Sequence, residues 1–194
     1  MGRMADRALS ELRREVLRAP QDPRARVALA RGLLRYGRAD EVPALVEAGL
    51  VDHAPDDALR ALRRDLLELA GWPCTLSVLV GDEPTTLRVR VADVGRLTIG
   101  RGPHSVLVLH APTVARTHAG IFVDAARGFV VVDAGSYHGV LVDERRIREE
   151  EALGERHRLH VGGVELEFRA GWSDAWPAFD AAQLAARLAA RPSP

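Results

Sequence analysis

The hydrophobic positions of this 194-residue chain repeat in two different ways, and the change falls near residue 71. Over the first 70 residues apolar side chains recur every three to four positions, which is the period of a helix buried on one face. Leu9, Leu12, Val16 and Leu17 share such a face. So do Val27, Ala30, Leu33 and Leu34, then Val42, Leu45, Val46 and Leu50, then Leu59, Leu62, Leu66 and Leu69. Four short amphipathic helices are predicted. Asp22-Pro23 and Asp56-Asp57 read as helix starts, because a short carboxylate accepts from the free amides of a first turn and proline fits there. Gly37 and Gly71 read as stops.

From Gly71 the period becomes two. "TLSVLVGDEPTTLRVRVADVGRLTIGR" alternates apolar and polar residues around a Gly-Asp-Glu-Pro turn, as strands packed on one face do. "VLVL" (106–109), "GIFVD" (120–124), "GFVVVD" (128–133), "GVLVD" (139–143) and "VELEFR" (164–169) continue the pattern between Gly, Pro and Asp turns. These short runs predict an antiparallel β-sandwich. An alanine-rich segment, 178–190, has helix composition, and "RPSP" reads as a frayed tail. The expected class is α+β: a helical region over 1–70, a sandwich over 71–170, and a C-terminal helix and tail over 171–194.

"RAPQDPR" (18–24) and "HAPDDAL" (53–59) share Ala-Pro-x-Asp, with Pro20 and Pro55 separated by 35 positions. That spacing is near the period of a tetratricopeptide helix pair. The region loosely resembles one such repeat flanked by half repeats, with Leu29, Leu33, Gly37 and Pro55 near the motif's small and apolar positions. Val42 and Gly49 stand where that motif has alanine, and an unrelated pair of helical hairpins fits equally well.

Composition narrows the function classes. Basic and acidic residues balance at 27 each, so no excess positive charge favours sequence-independent nucleic-acid binding. The chain has no lysine and no asparagine, which reads as GC-rich coding of the bacterial kind. No apolar run approaches a membrane span. The N-terminus alternates charge with leucine and lacks a signal-like apolar region, and Asp6 stands where a myristoylation motif needs Ser or Thr, so a cytoplasmic location without membrane insertion is expected. The single cysteine, Cys74, excludes an internal disulfide and reads as a small buried residue.

"LTIGR" (97–101), "VARTHA" (114–119), "GSYHG" (135–139) and "HVGGVELEF" (160–168) occur in the order and spacing of a forkhead-associated domain, and the resemblance covers about residues 74 to 170. It implies a β-sandwich whose loops at one end grip phosphothreonine peptides. The physics suits that role, because a phosphothreonine carries roughly −1.5 to −2 charge and strong acceptor oxygens that need cationic donors on a rigid scaffold. On this resemblance Arg101 matches the ligand-binding arginine, and Gly100 serves the tight backbone before it. Arg116 and Thr117 belong to the phosphate-gripping loop. Tyr137 and His138 shape the flanking-residue pocket, while His118 and Gly139 brace the loops.

Two departures stand out. The family's Ser-Arg-x-His is here Ala115-Arg116-Thr117-His118, so the hydroxyl that meets the phosphate is missing. The family's Asn before the last glycine is His138. A hydrogen bond to a charged group contributes about 1.5 to 3 kcal/mol, so losing the serine should cost roughly ten- to a hundredfold in affinity. Thr113 or Thr117 could swing a hydroxyl into the gap, and Arg101 with Arg116 still gives two cationic donors. Two readings follow: atypical phosphothreonine recognition through Arg101 and Arg116, or phosphate-independent protein binding on the same scaffold, as a structural subunit of an assembly.

Other chemistry is weaker. His104, His110, His118 and His138 fall near the binding-end loops but lack the short ligand spacing of a metal site, so no metal and no cofactor is expected. Asp133, Ser136 and His138 supply hydrolase residue types within one loop, without a strand-to-helix nucleophile elbow, and no catalysis is expected. His157 and His160 are expected to face solvent, and "DERRIREEE" (143–151) to be a solvated surface. Trp172, Trp176 and Phe179 are expected to pin the C-terminal helix onto the sandwich. The implied protein is an adaptor that reads a phosphothreonine on a Ser/Thr kinase or its substrate, with a second protein partner on the helices.

Overall fold

The computed structural model describes residues 2–51, 56–79, 85–172 and 176–191. The Gly-Asp-Glu-Pro turn and Pro55 of the repeated motif lie outside these residues. The chain divides into a helical unit, Met1–Ala70 with Ala178–Pro194, and a β-rich unit, Gly71–Pro177.

In the helical unit the four predicted helices are α1 (Gly2–Arg18), α2 (Pro23–Arg35), α3 (Val42–Val51) and α4 (Asp57–Leu69). Their starts follow the local chemistry. Asp22 accepts from the Arg24 amide with Pro23 in the first turn, and Asp56 accepts from the Leu59 amide. Gly37 and Gly71 have φ of +74° and +77°, the left-handed conformation that ends a helix without a Cβ clash. Leu9, Leu33, Leu59, Leu62 and Leu66 form the fully buried centre. Leu17, grouped by periodicity with the inner face of α1, is exposed instead. No helix among the described residues is long and apolar enough to cross a membrane.

The C-terminal helix completes this unit. Further along the chain than the β-strands, α6 (Ala181–Ala190) buries Leu184 and Leu188 against α2 and α4. Arg187 donates to Asp65 and Glu68, Arg191 pairs with Asp65 at 2.7 Å, and Arg31 donates to the Leu188 carbonyl at 2.9 Å. The expectation that the tryptophans pin this helix onto the sandwich is therefore corrected: its apolar stripe and its arginines find complementary partners on the helices. Trp172 instead donates its indole N–H to the Cys74 carbonyl at 3.3 Å.

The β-rich unit has two sheets among the described residues. The first runs in the order β2 (Thr85–Arg90), β1 (Pro73–Val78), β11 (Val164–Ala170), β10 (Arg156–Val161), β7 (Val140–Val142) and β8 (Arg145–Arg146). The second runs β4 (Leu107–Val108), β3 (Leu97–Gly100), β5 (Ala119–Asp124), β6 (Gly128–Asp133) and β9 (Glu150–Ala152). Pairing is antiparallel except between β3 and β4. Alternation puts Leu76, Leu159, Leu166 and Phe168 of one sheet and Leu97, Ile99, Ile121 and Phe129 of the other in a common core. Phe129 meets Phe168 edge-on at 5.3 Å between ring centroids, and Trp72 meets Phe129 at 5.2 Å.

Three local readings are revised. The alternating run between β2 and β3 is interrupted by a helical turn, α5 (Val91–Val94), which buries Val91 and is closed by the Arg90–Asp93 bond and by Gly95 at φ +67°. The charged run 143–151 is largely exposed but contributes the edge strands β8 and β9, where Arg127 and Arg145 pair with Glu150 and Glu151. Charged edges of this kind discourage further strand pairing. His157 does not simply face solvent. Its Nε2 accepts from the Gly154 amide at 2.7 Å, so Nδ1 carries the proton and donates to Asp143 at 2.6 Å.

Candidate functional site

β3 ends at Gly100, and the chain turns back at once. The Ser105 amide donates to the Gly102 carbonyl at 3.1 Å and closes the turn. Two further bonds press this turn onto the segment before β5: the Arg101 amide donates to the Ala115 carbonyl at 2.9 Å and the Gly102 amide to the Arg116 carbonyl at 3.0 Å. A Cβ on Gly100 would lie 2.2 Å from the Arg116 carbonyl oxygen, and one on Gly102 would lie 2.8 Å from it. Glycine is required here for close approach, whereas the sequence pointed only to a tight backbone. Arg101 and Arg116 are thus locked at their backbones while their side chains stay exposed.

The result is an open groove of about 670 Å³ lined by Thr98, Arg101, Gly102, Pro103, His104, Ser105, Arg116 and Thr117. No carboxylate belongs to that lining. Elsewhere in the β-rich unit Arg127, Arg145, Arg156 and Arg158 pair with Glu150, Glu151, Glu167 and Glu165. Arg101 and Arg116 have no carboxylate partner among the described residues. Two uncommitted guanidinium groups on a rigid backbone are suited to an anionic ligand.

His118 sits behind this groove, fully buried. Its Nδ1 accepts from the Ala115 amide at 3.0 Å, so the proton is on Nε2, which donates to the Gly139 carbonyl at 3.0 Å. Its own amide donates to Ile99 and its carbonyl accepts from Ala134, each at 2.9 Å. One residue therefore joins β3, the 113–118 segment and the 134–139 loop. Gly162 leaves room for this arrangement, since a Cβ there would lie 2.6 Å from the Thr113 carbonyl and 2.9 Å from the His118 ring.

The 134–139 loop is organised by its own short side chains. Asp133 accepts from the Ser136 amide at 2.8 Å, and the Ser136 hydroxyl accepts from the Gly139 amide at 3.0 Å. Gly139 has φ +79°, and the Arg146 guanidinium lies against it, 2.5 Å from where a Cβ would stand. Tyr137 is 91% exposed and meets the His138 ring edge-on at 5.1 Å. Neither residue lines the groove.

The structure thus gathers Arg101, Arg116 and Thr117 around one space, with Gly100 and His118 holding its walls and Gly139 tied to His118. Tyr137 and His138 stand apart from it, and Thr113 is not in the lining. Sequence reasoning missed Thr98, Gly102 and Ser105. The Gly-Pro-His-Ser run directly after Arg101 was the available signal, since such a run marks a turn that folds back on a strand end. Among the described residues no group of three or more His, Cys, Asp or Glu is placed to hold a metal ion. Burial pushes the Cys74 thiol up to about 12, which leaves it without nucleophilic character at neutral pH.

Residues 97–164 match the FHA domain family. Among solved structures, the FHA domain of the CT664 protein from Chlamydia trachomatis is 23% identical with a TM-score of 0.46, over 52% of this chain and 99% of that one. The FhaA FHA domain complexed with the intracellular domain of Rv3910 is 26% identical with a TM-score of 0.44, over 50% and 99%. Mycobacterium tuberculosis EmbR, in complex with a low affinity phosphopeptide, is 19% identical with a TM-score of 0.44, over 87% of this chain and 52% of that one. No curated protein sequence matches the chain. The groove, its histidine brace and most of the two-sheet frame fall within the matched residues, and the chain therefore carries an FHA domain, with helices before it and α6 after it.

Proposed function

We propose that this protein is a non-catalytic adaptor whose groove binds a phosphothreonine peptide, with the phosphate held by Arg101 and Arg116 and bordered by Thr117. The observation that carries this reading is the groove's electrostatics: two exposed guanidinium groups without carboxylate partners among the described residues, no acid in the lining, and backbones fixed before any ligand arrives. A backbone fixed beforehand removes its share of the ordering cost, which leaves the two arginine side chains to be ordered on binding. In this reading Tyr137 and His138 meet residues that flank the phosphothreonine, and the partner is a Ser/Thr kinase or its substrate in the cytoplasm. The helical unit, read as a tetratricopeptide-like surface, holds a second protein.

Phosphate-independent docking on the same end is the competing reading. It is favoured by the 91% exposure of Tyr137, an aromatic outside the groove whose ring meets that of His138, together with alanine at position 115. A phosphothreonine peptide library titrated against the full chain and against Arg101→Ala separates the two. Binding that needs both the phosphate and Arg101 supports the first. Peptides bound equally with and without phosphate, and equally by Arg101→Ala, would replace it with the second.

A further inference from the structure

Position 115 is alanine, so a phosphate between Arg101 and Arg116 lacks the hydroxyl that a serine at that position would supply. The groove contains a hydroxyl elsewhere. Building on the phosphothreonine reading above, we propose that Ser105, in the turn after β3, supplies the anion-facing hydroxyl that position 115 lacks, so that phosphate is held by Arg101, Ser105 and Arg116 together.

Three hydroxyls line the groove, and they are not equivalent. Thr98 lies within β3, and its Oγ1 already accepts from the Val106 amide at 3.1 Å, which holds the turn closed. Thr117 is exposed, and no side-chain bond fixes its hydroxyl among the described residues. Ser105 combines a fixed backbone with a loosely held side chain. Its amide is locked to Gly102, and the Val106 amide beside it is locked to Thr98.

The Ser105 hydroxyl itself makes one bond, to the Arg116 carbonyl, at 3.4 Å, which is the weak limit of hydrogen bonding. Its oxygen also lies 3.0 Å from where a Gly100 Cβ would stand. It is therefore wedged between the strand end that carries Arg101 and the carbonyl of Arg116. A phosphate oxygen arriving there offers a charged acceptor in place of a long neutral one, and charge-assisted bonds are about twice as strong. The Ser105 hydroxyl lines the groove with this one weak bond to give up, whereas the Thr113 hydroxyl is not in the groove lining at all.

The test uses the tightest phosphothreonine peptide from the library and its unphosphorylated twin, measured by fluorescence anisotropy against the full chain and against S105A, A115S, S105A/A115S, T117V and R101A. Ser105→Ala should weaken phosphopeptide binding by roughly tenfold while the unphosphorylated twin is unaffected. Adding Ala115→Ser to Ser105→Ala should recover most of that loss, because the second hydroxyl enters the same space. Recovery also excludes a folding defect in the single variant. If S105A binds within twofold of the parent while R101A does not bind, the assignment to Ser105 is wrong and the phosphothreonine reading survives. A loss confined to T117V assigns the hydroxyl to Thr117 and likewise overturns it. If the parent shows no phosphate-dependent binding, the phosphothreonine reading fails first and Ser105 fails with it.

Discussion

The Nε2–H of His118 donates to the Gly139 carbonyl at 3.0 Å while the Ala115 amide donates to Nδ1 of the same ring, also at 3.0 Å. Both bonds are satisfied only by the neutral tautomer protonated at Nε2, and the ring has no exposed surface from which water could substitute. Removing the ring orphans one donor and one acceptor and leaves a cavity. Each unsatisfied group costs about 1 to 3 kcal/mol. His118→Ala should therefore destabilise the β-rich unit by roughly 3 kcal/mol or more, the sum of two orphaned groups and a void. Amide hydrogen exchange isolates the cause: protection at Ala115 should collapse in H118A, and unchanged protection there would remove the brace from the account.

Close approach at Gly100 gives a second prediction. A methyl group there meets the Arg116 carbonyl at 2.2 Å, and the obstacle is backbone, which cannot swing aside as a side chain can. Gly100→Ala should force the turn away from the 113–118 segment at a cost of about 1 to 3 kcal/mol, typical of overpacking. Phosphopeptide affinity should drop with it, although no ligand-facing side chain has changed. Urea denaturation and the anisotropy titration measure the two effects; a variant as stable and as tight as the parent would show that the approach is not required.

The legible part of this fold was what local chemistry determines. Asp22, Asp56, Gly37 and Gly71 punctuate the helices as their side chains and φ preferences dictate, and "GFVVVD" is β6 residue for residue. Periodicity failed where a long-range partner decides. Alanine-rich α6 carries no mark in its sequence for which surface it covers, and the deciding groups, Asp65 and Glu68, lie more than one hundred positions away. Val91 looks like one more strand residue until Gly95 turns the chain after it. Of the groove's lining, Arg101 and Arg116 were readable from motif register. Ser105 was not, because its place in the lining depends on a turn pressed against a distant carbonyl.

Cys74 provides a chemical probe of the β-rich core. Its thiol is fully buried and burial pushes its titration to about 12, so at pH 8 only about one part in ten thousand is thiolate. An ordinary exposed cysteine near 8.5 would be about one quarter ionised at that pH. A maleimide or aromatic disulfide reagent should leave the native chain unlabelled over hours and modify one thiol per chain in urea. Rapid stoichiometric labelling without denaturant would show that strand β1 opens in the native state.

The clamp on α6 predicts a pH dependence whose sign can be worked out. Glu68 titrates below its usual range, first because of its hydrogen bond to Arg187 and then because of the attraction to that charge and to Arg64, partly opposed by burial. A carboxylate depressed by folding stabilises the folded state above the unfolded value of about 4.3 and loses that contribution as pH falls through its folded value. Glu68 is about half exposed, its side chain at 49%, so solvent screens the pair and it should be worth under about 1 kcal/mol. Arg187→Ala additionally strips a partner from Asp65, whose side chain is only 10% exposed but keeps Arg191. At pH 7 the variant should therefore lose about 1 kcal/mol of helical-unit stability, and the gap to the parent should narrow as pH drops from 5 towards 3. Urea melts followed by helical circular dichroism at each pH measure that gap. A difference that stays constant across the carboxylate range would mean that Arg187 holds α6 by packing its stem against the helices, and that its charge contributes nothing.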